Sequence, residues 1–293
     1  MRTRPRSLAA ALVAVALSLG ALVVSPTASG AQTPNPLQRG PEPSLTSLNA
    51  SRGSFATSSA NVARQSNFGG GTIYYPNDTS QGTFGVVAVS PGFFSPQSVI
   101  QWAGPLLASH GFVVITIDTL SIFDFPNSRG TQLTAALNYV VNSSPAAVRQ
   151  RVDPTRRAVM GHSMGGGGSL EAVRDNSSYQ AAVALQPWDT FVNFGGVRVP
   201  SMIIGAQNDI TAGVGSFSEP FYEQIPASSE KAYMELAGQG HLVGSGQNNP
   251  QGRMAIVWMK RYVDNDARFE QFMCPPPTGA FSGISEYRNT CPG

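Results

Sequence analysis

An α/β fold, with a mostly parallel central sheet covered by helices on both faces, is what this sequence predicts, on three observations. Short β-branched and apolar runs alternate with helix-like stretches along most of the chain. The runs Gly85–Ser90 and Phe112–Asp118 are nearly continuously apolar rather than alternating, as strands buried on both faces are. Once an N-terminal leader is set aside, about 260 residues remain, which suits one large domain with a full core.

The elements follow in order. From Gln32 to about Asn67 the chain is rich in Ser, Pro, Asn and Gly and reads as an extended lead-in with a first strand and little core. Gly71–Tyr75 and Gly85–Ser90 read as strands, Gln97–Ser109 as a helix closed by Gly111, and Phe112–Asp118 as a strand. Ser128–Val141 is helical, with Leu133, Leu137 and Val140/Val141 on one face. Arg157–His162 is a strand, Met164–Arg174 a helix, and Ala181–Gln186 and Pro200–Ala206 are strands. Glu219–Ile225 is a short helix, Ala232–Leu236 a strand and Pro250–Val263 the last helix. No internal repeat is visible, and no second domain has room.

The two ends bound the setting. Arg2, Arg4 and Arg6 precede an apolar run, Leu8–Val24, and small residues at Ser29 and Ala31 follow. Residues 1–31 therefore read as a secretory signal peptide and 32–293 as a single α/β domain, extracellular and without membrane association after cleavage. The formal charge of +2 belongs to that leader. Three of 19 Lys+Arg lie in it and none of the 17 Asp+Glu, so the rest carries 16 − 17 = −1. No basic stripe argues for nucleic acid. Cys274 and Cys291, close together in an exported chain, read as a disulfide that pins a Pro-rich tail. Neither has metal-ligand neighbours; no metal or cofactor is expected, and the chain is read as a monomer.

The chemistry is carried by Gly161-His162-Ser163-Met164-Gly165, followed by Gly166, Gly167 and Gly168. It falls where a strand must turn sharply into a helix. Such a turn strains the central serine and leaves no room for side chains two positions away. The expected result is an α/β-hydrolase fold with Ser163 as nucleophile and the Met164 amide facing the developing oxyanion. A serine hydroxyl needs a base. Of three histidines, His110 lies upstream in a structural setting, and His162 adjoins the nucleophile and reads as cleft wall. His241, after the strand Ala232–Leu236, remains. The acid falls between serine and histidine in the order Ser…Asp…His. Asp175 sits within or at the end of a helix, so the choice lies between Asp189 and Asp209, and Asp209 is preferred because it directly follows Pro200–Ala206. A second oxyanion donor is expected from Pro91-Gly92-Phe93-Phe94, as the amide of Phe93.

Only Pro187–Val199 lies where many hydrolases of this fold insert a cap, so the cleft is predicted to be shallow and open, with Phe93 and Trp188 flanking the serine. Such a groove suits a long apolar ester better than a small buried metabolite.

From Asn35 to Pro292 the chain resembles the bacterial cutinase and polyester-hydrolase family, which includes poly(ethylene terephthalate) hydrolases and actinobacterial lipases. The resemblance rests on Gly70-Gly71-Thr72-Ile73-Tyr74-Tyr75-Pro76, Gly111–Thr119, Val159–Leu170, Pro187-Trp188, Trp258-Met259-Lys260-Arg261 and the cysteine pair. It implies Ser163, Asp209 and His241 as triad, Phe93 and Met164 amides as oxyanion hole, and Trp188 as a subsite wall. Thr211 and Leu242, beside the acid and the base, stand with Phe93 and His162 as candidate substrate contacts. This chain departs from the family at Phe94, at Leu120 and Phe125 on a greasier rim, at Leu242, and around Ile210-Thr211. Thermostable relatives hold a surface calcium with carboxylates where Gln207 and Ala237 stand here. The expected activity is hydrolysis of polyesters and short acyl esters; the alternative is a triacylglycerol lipase or general carboxylesterase with little polymer activity. A non-catalytic binding protein is disfavoured by the presence of elbow, acid and base together. A peptidase is disfavoured by the missing cap or propeller, and a dienelactone hydrolase by a serine where cysteine is usual.

Overall fold

The computed structural model describes residues 35–190, 193–247, 249–275 and 282–291. The predicted leader, 1–31, lies outside them, as does part of the tail. Nine strands make one sheet: β1 Thr57–Val62, β2 Gly71–Pro76, β3 Phe84–Ser90, β4 Phe112–Ile117, β5 Val152–His162, β6 Ala181–Leu185, β7 Ser201–Ala206, β8 Lys231–Leu236 and β9 Ile284–Asn289. Their order is β1-β2-β4-β3-β5-β6-β7-β8-β9. The pairs from β4 through β3, β5, β6 and β7 to β8 are parallel; β1/β2, β2/β4 and β8/β9 are antiparallel. The helices are α1 Leu45–Asn49, α2 Ala103–Ser109, α3 Pro126–Asn142, α4 Ala146–Arg149, α5 Met164–Asp175, α6 Ser218–Gln224 and α7 Asn249–Val263.

Alternation along the strands divides the core into two layers. Val86 and Ala88 of β3 face Leu133 and Leu137 of α3 and Leu170 of α5, while Val87 and Val89 face Leu106 of α2 and Met254 and Trp258 of α7. Burial on both faces is why β3 and β4 read as unbroken apolar runs. On one face α3 and α5 come into backbone contact, since a Cβ on Gly130 would lie 2.7 Å from the carbonyl of Gly168. That crossing holds the nucleophile's helix close against its neighbour.

Four local expectations need correction. The lead-in is not short of core: Leu48, Phe55 and Val62 are buried, and it contains α1, whose N-cap Ser44 exchanges hydrogen bonds with Ser47. The helix expected over Gln97–Ser109 is split into a tight turn at Gln97–Val99 and α2. Pro105 has no N–H to give a mid-helix bond, so it fits only in a first turn, and the α-helix starts at Ala103. The fifth strand begins at Val152 rather than Arg157, Pro154 being tolerated next to an irregularity in the β3 pairing. The tail supplies an edge strand, β9, held near its end by the Cys274–Cys291 disulfide with Cα atoms 5.7 Å apart.

Candidate active site

The parallel strands end together, and the segments following β3, β4, β5, β6, β7 and β8 converge there. At the end of β5, Ser163 has φ 56° and ψ −121°, a conformation that non-glycine residues seldom adopt. Its neighbours enforce it. A Cβ on Gly161 would stand 2.1 Å from the carbonyl oxygen of Gly165, and one on Gly165 would stand 2.3 Å from that of Ser90. The chain can turn this sharply only with glycine at both places. Met164 is the first residue of α5, so its N–H has no intrahelical acceptor and remains available at the turn.

Ser163 Oγ lies 2.9 Å from Nε2 of His241, and Nδ1 of His241 lies 2.7 Å from Oδ2 of Asp209. The other carboxylate oxygen, Oδ1, accepts the amides of Thr211 (2.8 Å) and Ala212 (2.7 Å). Burial raises the Asp209 pKa, but the His241 hydrogen bond, the two amides and the histidine charge outweigh that and hold the carboxyl below its ordinary range. Asp209 is therefore a fixed anion behind the ring. Trp102 steadies the base's loop, donating from Nε1 to the carbonyl of Gly244 at 3.1 Å. Asp189, the alternative acid, makes no contact with His241; its Oδ1 accepts the amide of Thr190.

His162 is not the cleft wall that its position suggested. It is 3% exposed, lies beneath the base with ring centroids 4.9 Å apart, and its Nε2 hydrogen-bonds the carbonyl of His241 at 2.9 Å. The sharp turn that projects Ser163 outward sends the preceding side chain inward. Burial first, and then the charge of His241, push its pKa down to about 4. The ring is thus neutral, and its Nε2–H donates to that carbonyl, seating the base's own backbone.

The loop after β3 crosses directly above the serine: a Cβ on Gly92 would come 2.8 Å from that of Ser163. The next two rings stand out in water. Phe93 packs with Phe123 at 5.7 Å and Phe94 with Phe123 at 5.8 Å. Trp188 belongs to a second group, with Phe125 at 6.4 Å and Phe217 at 6.0 Å. Trp188 is half-buried, and its amide donates to the carbonyl of Ser163 at 3.0 Å, which ties its backbone to that of the serine. Thr211 is exposed and Leu242, 76% exposed, follows the base. Phe93, Phe94, Ile122, Phe123, Phe125, Ile210 and Leu242 are the exposed large apolar side chains among the described residues. All seven follow the carboxyl ends of β3, β4, β7 or β8, which makes them a rim and not a random scatter.

Sequence reasoning missed what mounts that rim. Arg129 of α3 is fully buried and donates to three carbonyls: Nη1 to Pro91 (3.0 Å), Nη2 to Ile122 (3.0 Å) and Nε to Asp124 (2.7 Å). One cation thereby ties the loop of Phe93 and Phe94 to that of Phe123 and Phe125. An arginine in an amphipathic helix ordinarily reads as solvent-facing; the only signal was its place four residues before Leu133, on the same face of the helix. Among the described residues no cluster of three or more His, Cys, Asp and Glu is placed to hold a metal ion.

Fold and site together define the class, an α/β-hydrolase with a serine, a histidine and an aspartate in hydrogen-bonded series at the strand ends. The chain belongs to the PET hydrolase-like family, whose sequence model matches residues 31–292. It is similar to a cutinase of Thermobifida fusca (strain YX), 46% identical over 295 residues, covering 99% of this chain and 97% of that one. It is also similar to cutinase 1 of Thermobifida cellulosilytica, 48% identical over 261 residues, covering 88% of this chain and 99% of the relative. A bis(hydroxyethyl) terephthalate hydrolase of Streptomyces coelicolor is 47% identical over 295 residues, covering 100% and 93%.

Proposed function

We propose that this chain is a secreted serine carboxylester hydrolase that cleaves polyesters, cutin-like and aromatic, together with short acyl esters, by way of an acyl-enzyme. The observation that carries the reading is the continuous series from Ser163 Oγ to His241 to Asp209, at 2.9 and 2.7 Å, opening onto an exposed apolar rim. The relatives named cutinase and bis(hydroxyethyl) terephthalate hydrolase support the ester substrate.

Ser163 Oγ attacks the ester carbonyl carbon as its proton passes to Nε2 of His241. Asp209, ionised and held by two amides, keeps Nδ1 protonated and stabilises the imidazolium that forms. The carbonyl oxygen becomes an oxyanion that the amides of Met164 and Phe93 stabilise. Collapse expels the alcohol, which takes the proton from His241, and leaves Ser163 acylated. Water then repeats the sequence and releases the acid. Trp188 and Phe93 hold the acyl or aromatic part of the substrate beside the carbonyl, with Leu242 and Thr211 bordering the leaving side.

Export by a cleaved 1–31 leader accords with this reading, and no described helix is long and apolar enough to cross a membrane. The test is product analysis on nitrophenyl esters, tributyrin and an aromatic polyester film. Soluble terephthalate products and no lag on insoluble substrate are expected, with Ser163→Ala losing about 10⁴–10⁶ in kcat while still adsorbing. Tributyrin hydrolysis with an inert film would favour a lipase instead. A pronounced lag would reveal a moving lid over the groove.

A further inference from the structure

Asp189 does not hold the base, yet the residue is as buried as Asp209. It lines a cavity of about 420 Å³ with Phe125, Pro126, Asn127, Thr190 and Glu171. Its Oδ1 takes the amide of Thr190 at 2.7 Å, while Oδ2 is shielded from water and has no donor. Glu171 of α5, itself buried, is within hydrogen-bond reach of this carboxyl. The positive charge nearby is Arg174, 3.5 Å from Glu171 and already 2.7 Å from Asp175. From the α3 side the cavity receives Phe125, Pro126 and Asn127, which bring no charge.

Two buried carboxyls so close cannot both ionise without a large cost, whereas one proton between them gives Oδ2 its missing partner. The consequence reaches the groove through one peptide unit. Trp188 directly precedes Asp189, and its amide holds the Ser163 carbonyl at 3.0 Å. A Cβ on Gly167 would stand 2.4 Å from the Trp188 carbonyl and 3.0 Å from the Asp189 side chain, so the loop has no slack against α5.

We infer that Glu171 and Asp189 share a single proton and act as positioning residues for Trp188, so that loss of the proton on the alkaline side loosens the grip on aromatic esters. The inference rests on Trp188 being a subsite wall, as proposed above. Burial, and then the charge of Glu171, push the Asp189 carboxyl up to about 7, which places the release near neutrality.

The experiment measures KM and kcat on an aromatic ester and on a short acetate ester from about pH 6 to about pH 8.5. It compares the wild type, Asp189→Asn, Glu171→Gln and Trp188→Ala. Either amide keeps an N–H where the shared proton sits but cannot titrate. In the wild type, KM for the aromatic ester should rise roughly two- to tenfold with pH, the range a ring contact supplies, while the acetate KM stays level. Both amide variants should keep a flat aromatic KM at the wild-type acid-side value. A flat wild-type KM, or the same rise in the amide variants, overturns the inference. Trp188→Ala separates the two readings, because equal losses on both esters mean that Trp188 is no subsite. In that event the melting temperatures decide on the proton. The wild type should lose ground to Asp189→Asn as pH rises, and parallel curves mean that no proton is shared.

Discussion

Replacing Asp209 by Asn should cost about 10⁴ in kcat on a soluble ester, about 5 kcal/mol of barrier, without disturbing the fold. The size follows from which groups face the two carboxylate oxygens. Oδ1 accepts two amides, from Thr211 and Ala212, and only an oxygen can serve there. The new carboxamide must therefore keep its oxygen at that end and turn its NH₂ toward His241. Nδ1, which now donates to Oδ2 at 2.7 Å, would have to become an acceptor. The ring proton then moves to Nε2 and points at Ser163 Oγ, 2.9 Å away, where a free lone pair is needed. Base and serine stay in place with the wrong tautomer between them. The assay is kcat and KM on a short nitrophenyl ester, with circular dichroism to verify folding. The KM should change little. A mild Asp209→Asn together with a crippling Asp189→Asn would refute the assignment of the acid, and an equal loss in both would point to a shared structural effect.

Two further predictions concern stability. His162 is held neutral in the fold, with its pKa down to about 4 from an ordinary 6.5. The unfolded chain binds that proton first as pH falls, so the stability contributed is full above about 6.5 and is lost progressively toward about 4, amounting to about 3 kcal/mol. His162→Gln should flatten this acid limb in urea midpoints compared between about pH 7 and about pH 4.5, and identical limbs would contradict it. Calcium should stabilise the protein little. Gln207 is already engaged through Oε1 by the amide of Gly238 at 2.8 Å, and Ala237 offers no ligand. A large rise in melting temperature with millimolar calcium, reversed by chelator, would be the contrary result; Gln207→Glu with Ala237→Asp should create one.

Much of the site was legible because its parts are local in sequence. Gly161 and Gly165 around Ser163 specify a turn that only a strand-to-helix junction needs. Chain order left Asp189 and Asp209, and the place of Asp209 directly after the strand Pro200–Ala206 favoured it without coordinates. What escaped the sequence is made by contacts distant along the chain. His162 reads as a groove residue by adjacency, and only the direction of the turn shows that it lies beneath His241. Nothing in the segment around Tyr287 announces an edge strand, because β9 is built by pairing with β8 and not by an apolar pattern of its own; none of its residues is fully buried. The pairing of Phe125 with Trp188, and of Phe93 with Phe123, depends on which loops meet, which periodicity does not encode.

That last point bears on how an open groove keeps its shape. An exposed aromatic ring in water lowers its free energy by folding back onto the protein, and seven large apolar side chains around the triad do not do so. The backbone prevents it. Phe94 has φ 56° and is pinned by its amide to the carbonyl of Ile122 at 2.8 Å, leaving its ring 65% exposed. Both loops are fixed from below by Arg129, whose burial lowers its pKa to about 10, still well above neutrality. Burying that cation is costly, and its three carbonyl acceptors offset the cost only while the two loops stay where they are. The rim is therefore coupled to a buried charge that would be stranded if the rings collapsed inward. Among the described residues this is the device that holds the apolar rim open in water. The same coupling makes Arg129, which lies wholly inside the protein, as much a part of the rim's shape as the phenylalanines it supports.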